Sequence, residues 1–208
     1  MAALSAFYPL IAPRVPGAPS PAIAAAAREG AIEFCARTLT LQRTLASVDT
    51  VADQAAYTLT QTGEVIEKLL AAKLAGRPLN LARAADLDDD EDITLSQAAP
   101  ADLLLTGTMQ VTLVPAPAVA GLKLAVRAAM RPSQAATTVD DVLFERHAQA
   151  IADWALHKLK SASKESTYYD GKGSDLALAR FMEAVGIERN KVLRDRARSR
   201  ARPRVRWC

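Results

Sequence analysis

Cysteine is nearly missing from this sequence: its 208 residues hold two, Cys35 within a helical pattern and Cys208 at the last position. Their spacing excludes a disulfide framework and a cysteine-based zinc site, and a reducing environment is the simpler expectation. Histidine is as scarce, with His147 and His157 alone. Ten residues of helix turn through about 1000°, which leaves the two about 80° apart and about 15 Å along an axis, so they cannot share one metal ion. Aromatic residues make up 5%, which favours close helix packing through alanine over large aromatic clusters. Long apolar runs are also lacking, because Pro9, Pro13, Pro16, Pro19 and Pro21 break up the N-terminal stretch and no basic segment precedes it. Neither a signal peptide nor a membrane-spanning segment is expected, and the chain reads as soluble and non-exported. There is no nucleophile elbow, dinucleotide fingerprint or paired histidine–cysteine pattern, so neither an enzyme nor a cofactor is predicted.

What the sequence does have is an uneven charge. The whole chain carries +3, yet residues 187–208 alone carry +7 and the remaining 186 carry −4. The basic residues are Arg189, Lys191, Arg194, Arg196, Arg198, Arg200, Arg202, Arg204 and Arg206, followed by Trp207. A dense run of like charge repels itself and buries little apolar surface, so it waits for an acidic partner. Two partners fit. Nucleic-acid phosphates would give a steep salt dependence through counterion release; an acidic protein surface would use Trp207 as a terminal anchor. A solvated tail is the plain alternative to both.

Along the chain, Phe7, Tyr8, Leu10 and Ile11 form an apolar plug. Ser20 reads as an N-cap with Pro21 at the first helical position, opening a helix to about Arg37 whose buried stripe is Ile23, Ala27, Ala31 (or Gly30) and Phe34. β-Branched residues from Thr38 to Val51 predict a strand, a turn near Ala52 to Gln54, and a short return at Tyr57 to Leu59. Val65 to Leu74 has the composition of a helix, but Gly76-Arg77-Pro78 is a turn signal, so a hairpin is the preferred reading. Met109 to Val114 and Leu122 to Ala128 alternate as strands and stop at Pro115 and Pro132. Asp140 and Asp141 begin the strongest helical pattern, lined by Leu143, His147, Ile151 (with Ala150), Trp154 and Leu159. Ser174 reads as the cap of a final helix containing Leu176, Ala179, Phe181, Met182 and Val185. The fold predicted is α+β: a helical bundle with an inserted small antiparallel β unit and an extended basic C-terminal arm. Residues 1–186 would form one domain, helical over about 20–38 and 139–186 with the β insertion over about 39–132, and residues 187–208 the arm.

Other local clusters carry little chemistry. Asp86, Asp88, Asp89, Asp90, Glu91 and Asp92 invite a calcium reading, but the glycine and glutamate positions of an EF-hand loop are missing, so a solvated or partner-facing loop is expected and no metal site. Asp170-Gly171-Lys172-Gly173-Ser174 has the glycines and lysine of a phosphate loop without its leading glycine or spacing, and reads as a connection between helices. His147 is expected at the core edge and His157 at the surface.

Several strings resemble the head-to-tail adaptor (connector) proteins of tailed, especially short-tailed, bacteriophages. They are Leu4-Ser5-Ala6-Phe7-Tyr8-Pro9-Leu10 with Pro13-Arg14-Val15-Pro16-Gly17, Ala31-Ile32-Glu33-Phe34-Cys35, Gln54-Ala55-Ala56-Tyr57-Thr58-Leu59, Leu143-Phe144-Glu145 and Ala148 to Ala152. The resemblance implies a structural virion protein at the neck of the tail, assembled in the host cytoplasm as a ring, usually of twelve subunits. Its partners would be the portal protein, reached by the C-terminal arm, and a tail nozzle or tail tube protein, with packaged DNA in the lumen and no membrane. Relatives can degrade cell wall, but no residue here carries that role over. The different reading is a nucleic-acid-binding protein whose arginine tail grips phosphates.

Overall fold

The computed structural model describes residues 1–82 and 99–198, with side chains in the last helix followed to Arg194. The acidic stretch Asp86 to Asp92 and the basic positions Arg200, Arg202, Arg204, Arg206 and Trp207 lie outside the described residues. The chain divides into two units, one of residues 1–40 with those from 137 onward, the other of residues 41–136.

In the first unit, β1 (Ala2–Ala3) pairs with β10 (Thr138–Val139), and the one-turn α1 (Tyr8–Ile11) lies between 3-10 turns at Leu4–Phe7 and Ala12–Arg14. Phe7, Ile11 and Val15 are fully buried, so the N-terminal plug is part of the core. α2 (Ser20–Thr38) buries Ile23, Ala27, Gly30, Ala31 and Phe34, as the stripe predicted. Its cap differs from the reading of Ser20: Pro19 is the N-cap, extended at φ −64° and ψ 139°, and no side chain caps the turn. α3 (Asp141–Ser161) starts as expected, with the Asp140 carboxylate accepting the Val142 N–H at 2.8 Å. α4 (Gly171–Arg198) packs on α3, and α2 packs on both. The approach of α2 to α3 needs a glycine, because a Cβ on Gly30 would sit 2.7 Å from the Ile151 carbonyl oxygen and 3.2 Å from Trp154 Cδ1. Around that crossing Trp154 lies 4.8 Å from Phe181, and Phe34 stacks 4.7 Å from His147.

The second unit is where the predicted fold fails. Among the described residues it holds eight strands in one mixed sheet: β2 (Gln42–Thr44), β3 (Val48–Asp49), β4 (Ala56–Thr58), β5 (Glu64–Leu74), β6 (Arg77–Leu81), β7 (Asp102–Leu105), β8 (Gln110–Val114) and β9 (Lys123–Pro132). Their order is β2-β9-β5-β6-β7-β8-β4, with β3 also on β9, and β6 and β7 run parallel. The helical bundle with a small antiparallel insertion is therefore overturned: the described residues form a large mixed sheet as well as four helices, and strands are the larger share of the elements. β4 is also not the return of the strand before it, since it pairs with β8.

The sheet outgrows the expected unit because β7, a four-residue strand with no alternation to mark it, pairs parallel with β6 and carries β8 and β4 with it; β5, read correctly as a strand, still carries a misleading pattern. Its pairing with β9 slips twice, between Ile66 and Lys68 and between Leu69 and Ala71. Each bulge adds a residue to one strand, so buried Ile66, Leu69 and Ala72 fall three apart, the spacing of a helix face. A strand with helical composition and helical spacing is hard to recognise, although the hairpin of β5 with β6 forms as expected. Glu64 is buried and held by both nitrogens of a fork, Arg43 Nη2 at 3.1 Å and Nε at 3.3 Å, which ties β2 to β5. Arg131 Nε donates to Glu67 at 2.7 Å and Arg127 Nη2 to Gln42 at 2.8 Å, so the long strands are also joined through their side chains.

Candidate functional site

The basic end begins inside a well-anchored helix. Gly171 and Gly173 have no buried stripe to offer, so the first turn of α4 is set by polar groups. Asp170 accepts the Gly173 N–H at 2.9 Å and Lys160 Nζ at 2.8 Å, and its carboxyl is held below the usual carboxylate range first by the lysine bond and then by the backbone N–H. Ser174, predicted as the cap, lies inside the helix and is buried; its hydroxyl donates to the His157 carbonyl oxygen at 3.1 Å and lies 2.9 Å from His157 Nδ1. His157 is thus half-buried at an α3–α4 joint rather than a plain surface residue. The string Asp170 to Ser174 is a helix start, not a loop between helices.

Ala177, Phe181 and Val185 then bury α4 at four-residue spacing, and Val185 is the last buried residue of α4 among those described. Leu176 and Met182, placed in the final helix by the sequence, face outward. From Val185 the helix continues to Arg198, roughly 20 Å at 1.5 Å per residue. The first half of the predicted arm is thus a continuation of α4. Arg189 and Arg194 are exposed and form no ion pair among the described residues, whereas Lys191 is paired with Glu188 at 3.0 Å. Arg196 and Arg198 lie on the same helix. Cations near a helix C-terminus are favoured by the macrodipole, so the sequence can be helical and still leave its charge open to a partner.

Beside this helix lies an open cleft of about 750 Å³ between α3 and α4, lined by Arg146, His147, Asp153, Arg180, Glu183 and Ile187 among others. His147 lies at the core edge as the spacing predicted. Burial holds its pKa below 6.5, with Lys191 and Arg146 acting in the same direction and Glu188 against them, and its Nε2 has no hydrogen-bond partner among the described residues. Asp153 is the residue the sequence hides, because an aspartate one position from Trp154 in an amphipathic helix reads as solvent-facing. It is 4% exposed, takes Gln149 Nε2 at 3.0 Å and Arg14 at 3.5 Å, and burial raises its pKa above 3.8. Among the described residues no group of three His, Cys, Asp or Glu could hold a metal ion, and no helix is long and apolar enough to cross a membrane.

These side chains are consumed in tying helices together or stand open as charge, the arrangement of a structural docking protein. The family model of the SU10 adaptor protein matches residues 3–206. The chain belongs to that family and is a phage head-to-tail adaptor, a structural protein of the virion with portal and tail proteins as its partners. No curated protein matches it.

Proposed function

We propose that twelve copies of this adaptor form a ring between the portal and the tail, and that the basic residues from Arg189 to Arg206, with Trp207, dock on an acidic surface of the portal. The observation that carries this reading is the charge split: +7 in residues 187–208 against −4 elsewhere, on a helix that runs about 20 Å past its last buried residue. Arginine forms charge-assisted bonds with acidic groups, and a ring repeats each weak joint many times. On the other side, a tail nozzle or tail tube protein completes the connection, the packaged DNA runs through the lumen, and assembly takes place in the host cytoplasm. Nothing in the proposal needs a reaction.

The test is co-sedimentation of the purified adaptor with portal rings across a salt series. Arg189→Glu with Arg194→Glu, both exposed, is expected to weaken portal binding at least tenfold while leaving the unfolding midpoint unchanged. Undiminished portal binding by that variant would remove the arm from the joint. Tight binding to duplex DNA with a log-linear salt slope and none to the portal would instead favour phosphates as the target.

A further inference from the structure

The two longest strands of the sheet of residues 41–136, β5 and β9, bury one face and expose the other, and strand alternation with the register tells which residue belongs to which. On β5, Leu69, Ala72 and Leu74 are buried, whereas Lys68, Ala71 and Lys73 are exposed. On β9, Leu124, Val126 and Ala128 are buried, whereas Lys123 and Arg127 are exposed. Pairing of the two strands sets Lys73 opposite Ala125, Arg127 opposite Ala71 and Lys68 opposite Ala129, so these cations share the outer face. β2 and β6 extend it with Thr44, opposite Arg127, and Pro78, opposite Lys73, both exposed and uncharged.

Opposite charges across neighbouring strands stabilise a sheet, and this sheet uses that device a few residues away, where Arg131 Nε donates to Glu67 at 2.7 Å. Toward the β5–β6 hairpin it does not. Lys68, Lys73 and Lys123 form no ion pair among the described residues, although Asp49 stands opposite Lys123. Arg127 keeps its charge while it donates to the Gln42 amide oxygen at 2.8 Å. Ala71, Ala125, Thr44 and Pro78, which lie among the cations, bring neither an acid nor a large apolar side chain. The sign is also opposite to that of the body: residues 1–186 sum to −4, yet Lys68, Lys73, Lys123 and Arg127 here stand against Asp49 alone.

We propose that this face contacts the phosphate backbone of duplex DNA. Charge complementarity selects a polyanion, and the layout suits an extended one. Lys123 and Arg127 are four residues apart, about 13 Å along β9, and β5 sets Lys68 and Lys73 alongside at about 5 Å. Duplex DNA carries a charge per about 1.7 Å of its axis, so a stripe of cations two strands wide meets several phosphates at once. An acidic protein surface is the poorer match. Protein interfaces are held by buried aromatic and large apolar anchors, and none of the exposed large hydrophobic side chains among the described residues lies on β2, β5 or β9. Lysines and an arginine that is already bonded offer no fork for base edges, so the contact is independent of sequence, as a surface along which DNA moves requires. The partner is the packaged DNA of the ring reading, but the contact belongs to a single subunit and is tested apart from the ring and from the portal-binding arm.

The purified full chain is titrated with random-sequence duplex DNA at several salt concentrations, alone and as the triple variant Lys68→Gln, Lys73→Gln, Arg127→Gln, with the urea midpoint as the check on folding. At about 50 mM salt the variant is expected to bind at least tenfold more weakly, with a salt slope shallower by about 2–3, since each phosphate contact contributes about 0.9. Its sedimentation with portal rings stays unchanged. Brief acetylation followed by mass spectrometry locates the contact: DNA should slow modification of Lys68, Lys73 and Lys123 at least threefold and leave Lys164 and Lys172, exposed in the helical unit, unaffected. If the variant unfolds, acetylation of the original chain decides alone. Full DNA binding by the folded variant, or no protection of the three lysines, overturns the proposal and leaves the ring and the arm standing. Loss of portal or tail-protein binding in the variant with DNA binding intact assigns the face to a protein and overturns it. Protection of the lysines without DNA that disappears on Asp88→Asn with Asp89→Asn and Asp90→Asn gives the face to the chain's own acidic stretch and also overturns it.

Discussion

Gly30 and Gly186 sit on helices of the same unit and should respond oppositely to a methyl group. At Gly30 a Cβ meets backbone at 2.7 Å, and overpacking of about 1–3 kcal/mol outweighs a helix-propensity gain of about 1 kcal/mol. Gly30→Ala is expected to lower the thermal midpoint by a few degrees, whereas Gly186→Ala, with nothing within 4 Å, should raise it slightly; calorimetry on both variants checks the pair. His147 gives a pH signature. A base whose folded pKa lies below its free value is held neutral by the fold, so the unfolded chain takes up the proton first as pH falls. Its contribution is complete above pH 6.5 and is lost progressively as pH drops from 6.5 through the lowered folded value. Asp153 acts in the opposite sense at lower pH, because its raised pKa lets the folded state bind the proton first. His147→Phe should flatten the fall in urea midpoint between about pH 7 and pH 5; an unchanged slope would take the effect away from this residue. The stripe that places His147 is legible from helical spacing, but the burial of Asp153 is not, because it depends on Arg14 arriving from another segment.

At the scale of elements, α3 is the most legible piece of the chain. Its acidic cap, its apolar face and its basic last turn agree with one another. Asp140→Ala removes the carboxylate from the Val142 N–H and should cost about 1 kcal/mol, read as a shift in the urea midpoint. The two ends of α2 and α4 show the limit: serine at position 20 and serine at position 174 both resemble caps, yet Pro19 and Asp170 occupy those places. Local composition permits either residue, and the packing of the preceding segment decides which one stands at the turn. β5 is the clearest case of tertiary override, since Glu-Val-Ile-Glu-Lys-Leu-Leu-Ala-Ala-Lys-Leu is rich in helix-favouring residues and becomes a strand because β6 and β9 pair on either side. Replacing Glu64 by alanine removes the buried carboxylate that accepts two Arg43 nitrogens; Arg43 is itself 34% exposed and can turn to solvent, so the sheet should lose about 1–2 kcal/mol, visible as a lower midpoint for the unit of residues 41–136.

For the whole molecule, the separation of body and basic end is a matter of arithmetic on the sequence, and it predicts how the protein should behave. Removing residues 199–208 takes away Arg200, Arg202, Arg204 and Arg206 with Trp207 and leaves every described contact in place. The shortened chain should unfold at the same midpoint as the full one but sediment with the portal only at low salt. Equal portal binding at all salt concentrations would show that the cations of α4 suffice.

Composition, helix spacing and charge placement are properties of neighbours along the chain, and from them came the helices α2, α3 and α4, the basic end, the β5–β6 hairpin and the resemblance to phage adaptors. Sheet order, the parallel pair of β6 with β7, the partner of β4 and the true caps depend on residues far apart in the sequence. Those were decided only when backbone groups had to find hydrogen-bond partners and each apolar face a neighbour, a condition that no local window of residues contains.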